Sequence, residues 1–286
     1  MELGFTTMNT PEDPPPGELA AALETRGFDS LWIGEHSHIP AERTTPYPAG
    51  GDMPMQYTRM MDPFLSLLAA ANATSSLLVA TGVALPLERD LFALAKSVAT
   101  LDHLSGGRLI FGVGVGWNRE ELADHRPDLP WSKRYRALDE AVAALRALWS
   151  DDEASFHGEW FSFDRAWSFP KPVQRPHPPI YCGAGGRIGT AQAVAWGDGW
   201  APMDIALGDV AKRIDRFRAD VAAAGRGDVP ITLVTFGDPD PDTLRSYRDL
   251  GVERAVIGAS RTGWDDPATT YPFIDRYAAL VDELHT

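Results

Sequence analysis

Cysteine is almost absent from this chain, which has 286 residues and a single cysteine, Cys182. One cysteine cannot form an intrachain disulfide, so packing and hydrogen bonds must hold the fold together. Cys182 has apolar neighbours and is expected to be a small core residue. The N-terminal segment also lacks the basic stretch and apolar run of a secretory signal. We therefore expect a protein of a reducing compartment, the cytoplasm.

Positive charge is scarce as well. The 26 lysines and arginines are outnumbered by 40 aspartates and glutamates, which gives a formal net charge of −14. Nucleic acids and anionic membranes are bound by clusters of Lys and Arg, so this balance disfavours both as partners. An anionic ligand would need a local site.

Long uninterrupted apolar runs are missing too. Residues 63–87 carry no charge, but Asn72, Thr74, Ser75 and Ser76 interrupt them, which a membrane span would not tolerate well. We expect a buried helix followed by a buried strand in this segment.

What the chain does contain is a regular alternation of short apolar runs and helical segments. The candidate strands are 3–7, 30–35, 77–85, 108–115, 179–184, 199–203, 231–237 and 254–259. The candidate helices are 17–26, 62–74, 90–103, 133–149, 188–196, 208–224, 240–249 and 268–284. Eight such pairs predict an α/β fold, a (β/α)8 TIM barrel, with residues 1–286 as one domain.

Two connections are longer than ordinary loops. Residues 36–61 follow the second candidate strand, at the end where such barrels build active sites. Residues 150–178 follow a helix and precede the fifth candidate strand, and we interpret them as a packing excursion with room for a strand pair.

Glycine is concentrated in LSGGRLIFGVGVGWNREE, residues 104–121. The spacing is not the G-x-G-x-x-G of a dinucleotide-binding loop. If the strand continues, Gly112, Gly114 and Gly116 share one face. That face either leaves room for a flat ligand or only relieves crowding inside the barrel.

Histidine occurs twice just past the second candidate strand, in WIGEHSHIP. His36 and His38 could be structural, could contact a ligand, or could begin a metal site of the His-x-His type. The later strand ends offer no matching metal ligands, so metal hydrolysis is disfavoured.

A second glycine-rich turn, CGAGGRIGT, leads from a strand into a helix. The free N–H groups of a helix start and the guanidinium of Arg187 suit a phosphate, with Gly185 and Gly186 allowing close approach.

These segments together resemble the bacterial luciferase-like monooxygenase superfamily, whose barrels bind FMN or the deazaflavin coenzyme F420. The resemblance is carried by KSVATLDHLSGGRLIFGVGVGWNREE, GFDSLWIGEH, ATGVALPL and PPIYCGAGGRIGTAQAVAWGDGWAP, and its nearest subgroup is the F420-dependent oxidoreductases. It implies a phosphate site at Gly185, Gly186 and Arg187.

The resemblance also implies roles for residues at the cofactor ring. His36 would lie at its reactive edge, and Gly82–Val83 would form a non-proline cis peptide behind it. Gly114 would lie under the ring, and Asn118 would hydrogen-bond the cofactor or, alternatively, cap a helix.

The function implied is hydride transfer between F420 and a small organic substrate. An FMN-dependent monooxygenase and a non-catalytic flavin-binding barrel are the alternatives. The Met-, Tyr- and Pro-rich stretch at 44–61 suits an apolar or aromatic compound, although it could equally pack against a second copy in the homodimer that we expect.

Overall fold

The structure is a computed structural model that describes residues 1–286. Its strands are β1 (Glu2–Thr7), β2 (Ser30–Ile33), β3 (Leu78–Thr81), β4 (Leu109–Val113), β5 (Ala154–His157), β6 (Ser162–Ala166), β7 (Ile180–Cys182), β8 (Gly199–Trp200), β9 (Thr232–Phe236) and β10 (Arg254–Ala259). The helices are α1 (Pro16–Thr25), α2 (Pro63–Asn72), α3 (Leu91–Leu104), α4 (Arg119–His125), α5 (Arg134–Ser150), α6 (Arg187–Ala195), α7 (Val210–Ala223), α8 (Pro241–Asp249), α9 (Thr270–Ala278) and α10 (Val281–His285). Helices with the length and apolar character of a membrane span are absent.

Eight of the strands form a parallel sheet in the order β8-β7-β4-β3-β2-β1-β10-β9. Single bridges between Trp200 and Ile231 and between Met203 and Val234 connect the two edge strands and close the sheet. The predicted (β/α)8 TIM barrel is therefore confirmed. Each strand is buried on both faces, which is why the strands are apolar runs instead of alternating patterns.

Helix starts follow the capping residues in the sequence. The Asp62 side chain accepts hydrogen bonds from the N–H groups of Phe64 and Leu65, and Asp209 accepts one from Lys212. Gly225 follows α7 with a φ of +69°, a conformation that glycine adopts without strain. The predicted buried helix and strand within residues 63–87 are α2 and β3.

The structure differs from the predicted element list at two helices. The seven-residue α4 was not among the predicted helices, because it is too short to show an apolar period; of its residues only Glu121 and Leu122 are buried. The predicted helix 268–284 is divided into α9 and α10. The break lets Leu284 pack beside β1, where its carbonyl accepts a hydrogen bond of 2.6 Å from the N-terminal amino group.

The excursion at 150–178 holds the antiparallel pair β5 and β6, outside the barrel. The loop at 36–61 contains one short 3-10 turn and folds over the C-terminal ends of the strands. Four neighbouring strands, β7, β4, β3 and β2, therefore present their following residues at one end of the barrel, which we call the barrel mouth (residues 34–36, 82–85, 114–118 and 183–187).

Candidate active site

The Gly82–Val83 peptide bond, just past β3, is cis, as the resemblance implied. Gly82 is exposed and Val83 is half-buried, so this short stretch forms part of the surface of the mouth. A methyl group on Gly114 would lie 2.7 Å from Val83 Cγ2, and one on Gly183 would overlap Val83 Cγ1. The Val83 side chain thus fills the space that two glycines leave free.

The three regularly spaced glycines do not form one bare strand face. Gly112 lies against the backbone of β3, where a methyl group would overlap the carbonyl oxygen of Thr81. Gly116 lies beyond the end of β4 and has a φ of +69°. The prediction of a shared glycine face was wrong, because β4 ends at Val113 and protein atoms occupy the space beside Gly112 and Gly114.

His36 follows β2 with a side chain that is only 7% exposed. Its Nδ1 lies 2.7 Å from Glu121 Oε2, and its Nε2 accepts a hydrogen bond of 3.0 Å from the indole N–H of Trp117. Because Nε2 accepts a hydrogen bond, the ring proton is on Nδ1, and the Nδ1–H group donates a hydrogen bond to Glu121. The geometry thus selects one tautomer of a neutral imidazole and leaves its other nitrogen as a proton acceptor.

The two hydrogen-bond partners of His36, Glu121 and Trp117, were not among the predicted site residues. Glu121 also accepts a hydrogen bond of 3.2 Å from the N–H of Ser37, so its carboxylate has two donors from the loop after β2. The signal in the sequence was an acidic pair, Glu120 and Glu121, a few residues after a barrel strand. Only the structure shows that Glu121 is the buried one of the two.

The loop at 36–61 is attached to the end of β4 by aromatic and polar contacts. The rings of Tyr47 and Tyr57 pack edge-on against Trp117, with centroids 5.9 and 6.0 Å away. The hydroxyls of Thr44 and Thr45 donate to Glu120 at 2.6 and 2.5 Å. These hydrogen bonds lower the pKa of Glu120 to about 2.

His38 belongs to a different, more exposed network. Its Nε2 lies 3.0 Å from Asp124 Oδ2 and its Nδ1 lies 2.9 Å from Ser37 Oγ, which also contacts His125. The two histidines of His-x-His therefore engage different carboxylates, Glu121 and Asp124.

Asn118 occupies the residue before α4, yet its side chain makes no capping hydrogen bond. The residue is 1% exposed, and neither its Oδ1 nor its Nδ2 has a partner in the protein. Capping therefore does not explain Asn118. Buried amides are nearly always satisfied, so this one points to a ligand at the end of β4.

The glycine turn after β7 leads into α6 as predicted. Gly186 is exposed, and a methyl group there would meet no atom within 4 Å. Arg187 is exposed and forms no ion pair. The first N–H groups of α6 have no intrahelical acceptor, so an open backbone surface with one free guanidinium lies at this point. Cys182, by contrast, is a buried core residue, and burial raises the pKa of its thiol.

The Gly82–Val83 stretch and the start of α6 are close to each other. Val83 packs on Gly183, and Gly186 follows three positions after Gly183, a span of at most about 11 Å. An unsatisfied amide and an open helix start therefore lie at one mouth of a parallel barrel, where unused hydrogen-bonding groups are available to an anionic ligand.

Comparison with known proteins agrees with this class. The family described as luciferase-like monooxygenase matches residues 12–274. An uncharacterized protein of Mycobacterium tuberculosis is 39% identical, with 98% of each chain covered. The chain therefore belongs to the luciferase-like monooxygenase family.

Relatives with a described activity are more distant. The F420-dependent hydroxymycolic acid dehydrogenase of M. tuberculosis is 33% identical over 84% of this chain and 58% of that protein. Among solved structures, an F420-dependent secondary alcohol dehydrogenase has a TM-score of 0.73 at 20% identity, covering 99% of this chain and 98% of that one. A type II Baeyer–Villiger monooxygenase of Pseudomonas putida with FMN also has a TM-score of 0.73, at 14% identity and 98% coverage of both chains. These two structures support the fold.

Proposed function

We propose that this protein is an oxidoreductase that transfers a hydride between coenzyme F420 and a small organic substrate. The carrying observation is the adjacency of the Gly82–Val83 surface to the open start of α6. A cofactor whose ring rested on the first would bring its phosphate toward the second. Asn118, which has no partner of its own, supplies two hydrogen-bonding atoms beside them.

The residues at the mouth fit such a cofactor by their chemistry. Gly186 and the first N–H groups of α6 would hold the phosphate, with Arg187 as a charge-assisted donor. Val83 would support the ring, and Gly114 would act through Val83, since its missing side chain is what allows Val83 its position. When bound, a deazaflavin supplies a carbon centre that accepts or gives a hydride.

His36 would handle the proton that accompanies the hydride. With Nδ1–H donating to Glu121, its Nε2 is the acceptor and can take the proton of a substrate hydroxyl once the Trp117 indole yields. Glu121 then stabilises the imidazolium that forms. Tyr47 and Tyr57 line this side with aromatic surface, which fits a substrate with an apolar or aromatic portion.

The relatives named as F420-dependent match longer segments of this chain than a relative named as FMNH2-dependent does, and this favours F420 over FMN. An FMN-dependent monooxygenase remains the second candidate, because a barrel with FMN matches the fold equally well. Titration of the protein with F420 and with FMN, followed by Trp fluorescence, separates the two. Tighter binding of FMN would overturn the proposal.

A turnover assay distinguishes an enzyme from a barrel that binds the cofactor without catalysis. A panel of secondary alcohols and carbonyl compounds, assayed by the absorbance change of F420, should include at least one substrate. The His36→Asn variant serves as control and should bind the cofactor while losing turnover. Tight F420 binding without turnover on any compound would favour the binding protein.

A further inference from the structure

Glu88, in the short turn that follows the Gly82–Val83 stretch, is a buried acid without a donor. The residue is 6% exposed, and neither carboxyl oxygen has a hydrogen-bond partner among the protein's donors. The polar group that acts on it most strongly is another carboxyl, that of Glu121, on the helix α4 that packs against this turn. Two carboxylates held this close repel each other, which favours a proton on one of them.

The surrounding contacts decide which acid holds the proton. Glu121 accepts hydrogen bonds from His36 Nδ1 and the Ser37 N–H, which stabilise its ionised form. Glu35, the other nearby acid, accepts the Leu85 N–H at 2.7 Å and pairs with an arginine. Glu88 alone has nothing to stabilise a negative charge.

We propose that Glu88 is a neutral carboxylic acid that donates its proton in a hydrogen bond to Glu121 and thereby acts as a positioning residue for His36. This inference rests on the proposed function, in which His36 handles the substrate's proton. The hydrogen bonds then converge on Glu121: Glu88 O–H and His36 Nδ1–H both donate to it, and Trp117 donates to His36 Nε2. An ionised Glu88 would break this order by repelling Glu121.

The fold makes specific room for the Glu88 carboxyl. A methyl group on Gly116 would lie 3.2 Å from Glu88 Oε1, so the glycine leaves space for the acid at the end of β4. Glu88 also lies in the wall of a cleft of about 400 Å³, formed with the start of α3, the end of α4 and the β5–β6 hairpin.

The electrostatic surroundings support the same assignment. Burial, first, and then the charges of Glu121 and Glu35 raise the pKa of Glu88 to about 9. His125 also faces Glu121, but burial lowers the pKa of its imidazole, so it brings no fixed positive charge. The charge of Arg89 is engaged by Glu35 and Asp62.

The protonation state is tested in the cofactor-free protein. Unfolded Glu88 ionises near its ordinary pKa, whereas folded Glu88 keeps its proton, so between about pH 5 and pH 8 this site makes folding less favourable as pH rises. The Glu88→Gln variant should lack that dependence. As pH rises, the folding equilibrium constant of the wild type should fall more steeply than that of the variant, by up to tenfold per pH unit. An infrared band of a neutral carboxyl group should disappear in Glu88→Gln. It should persist in the control Glu42→Gln, which changes an exposed acid.

An unchanged pH slope together with an unchanged infrared band in Glu88→Gln would overturn the proposal. This outcome would show that Glu88 is ionised in the folded protein.

The positioning role is tested by comparing two variants of the active protein. Glutamine retains a donor to Glu121, so Glu88→Gln should keep kcat within about threefold at pH 7 and should extend activity to higher pH. Glu88→Met has a similar size but no donor, and kcat should fall by tenfold or more with little change in KM. Equal losses in both variants would overturn the role. If Glu88→Met does not fold, the pH profile of Glu88→Gln decides, and a profile unchanged from the wild type contradicts the proposal.

The outcomes for the two proposals are distinguishable. The proton on Glu88 is measured without any cofactor, so failure to bind F420 or FMN would defeat the proposed function and leave the infrared result standing. F420 turnover with an ionised Glu88 would defeat only the present inference.

Discussion

The two sides of the barrel mouth are built on different principles. Around β2 and β4, hydrogen-bonded side chains hold one another in place, as His36 is held between Glu121 and Trp117. At the start of α6, the site is an open backbone with an unpaired arginine. The first side is organised before a ligand arrives, whereas the second offers unused donors that a ligand would satisfy. Substitutions around β2 and β4 should therefore act first on packing, and on affinity only by moving neighbours at the mouth, whereas substitutions at the start of α6 should act directly on affinity.

A matched pair of glycines gives the largest expected contrast between the two sides. Gly112→Ala should cost about 3 kcal/mol of stability, because its methyl group overlaps the Thr81 carbonyl and the strands must separate. Gly186→Ala should be nearly neutral, since no atom lies within 4 Å of the added methyl group. Denaturant unfolding of both variants measures the difference. Similar losses would show that the α6 turn is also tightly packed.

Arg187→Ala should weaken cofactor binding by about 1 to 3 kcal/mol, the worth of a hydrogen bond to a charged group. The melting temperature of the cofactor-free protein should stay unchanged, because the side chain is exposed and has no partner. Arg119→Ala, an exposed arginine at the start of α4, is the control. Unchanged affinity with a lower melting temperature would make Arg187 structural.

Gly114→Ala should lower F420 affinity by about tenfold, or about 1.4 kcal/mol. The added methyl group lies 2.7 Å from Val83 Cγ2, so Val83 must shift within the mouth. Stability without cofactor should fall by less than the loss in binding energy. Adding Val83→Ala removes the clash and should restore part of the affinity. If the double variant binds no better than Gly114→Ala, the glycine does not act through Val83.

Glu120→Ala should have only a small effect on stability, below about 1 kcal/mol, because the carboxylate is close to solvent. It should nevertheless release the loop at 36–61, whose threonines Glu120 holds, and so increase proteolysis there. Its lowered pKa means that this contribution is present above pH 4.5 and is lost as pH falls toward about 2. Proteolysis of the wild type should therefore rise in acid. A pH-independent cleavage rate would contradict the anchor.

The sequence predicted some of these features better than others, and the reason is the distance along the chain between the residues that interact. The predicted glycine turn at the start of α6 depends on neighbours within four residues, as do the caps that Asp62 and Asp209 form in the structure. Pairing of His36 with Glu121 joins residues 85 positions apart and needs the ends of β2 and β4 to meet.

Taken alone, the amino-acid sequence determined the eight alternating strands and helices, the family resemblance and the position of the α6 turn. Local propensity and apolar period are sufficient for these features. Only the tertiary structure decided that Val83 occupies the space beside Gly114, that Trp117 donates to His36, and that Glu88 lies against Glu121. Those contacts depend on where neighbouring strands end and on which atoms are buried together. Both depend on segments that are far apart in the chain, so no single segment predicts them.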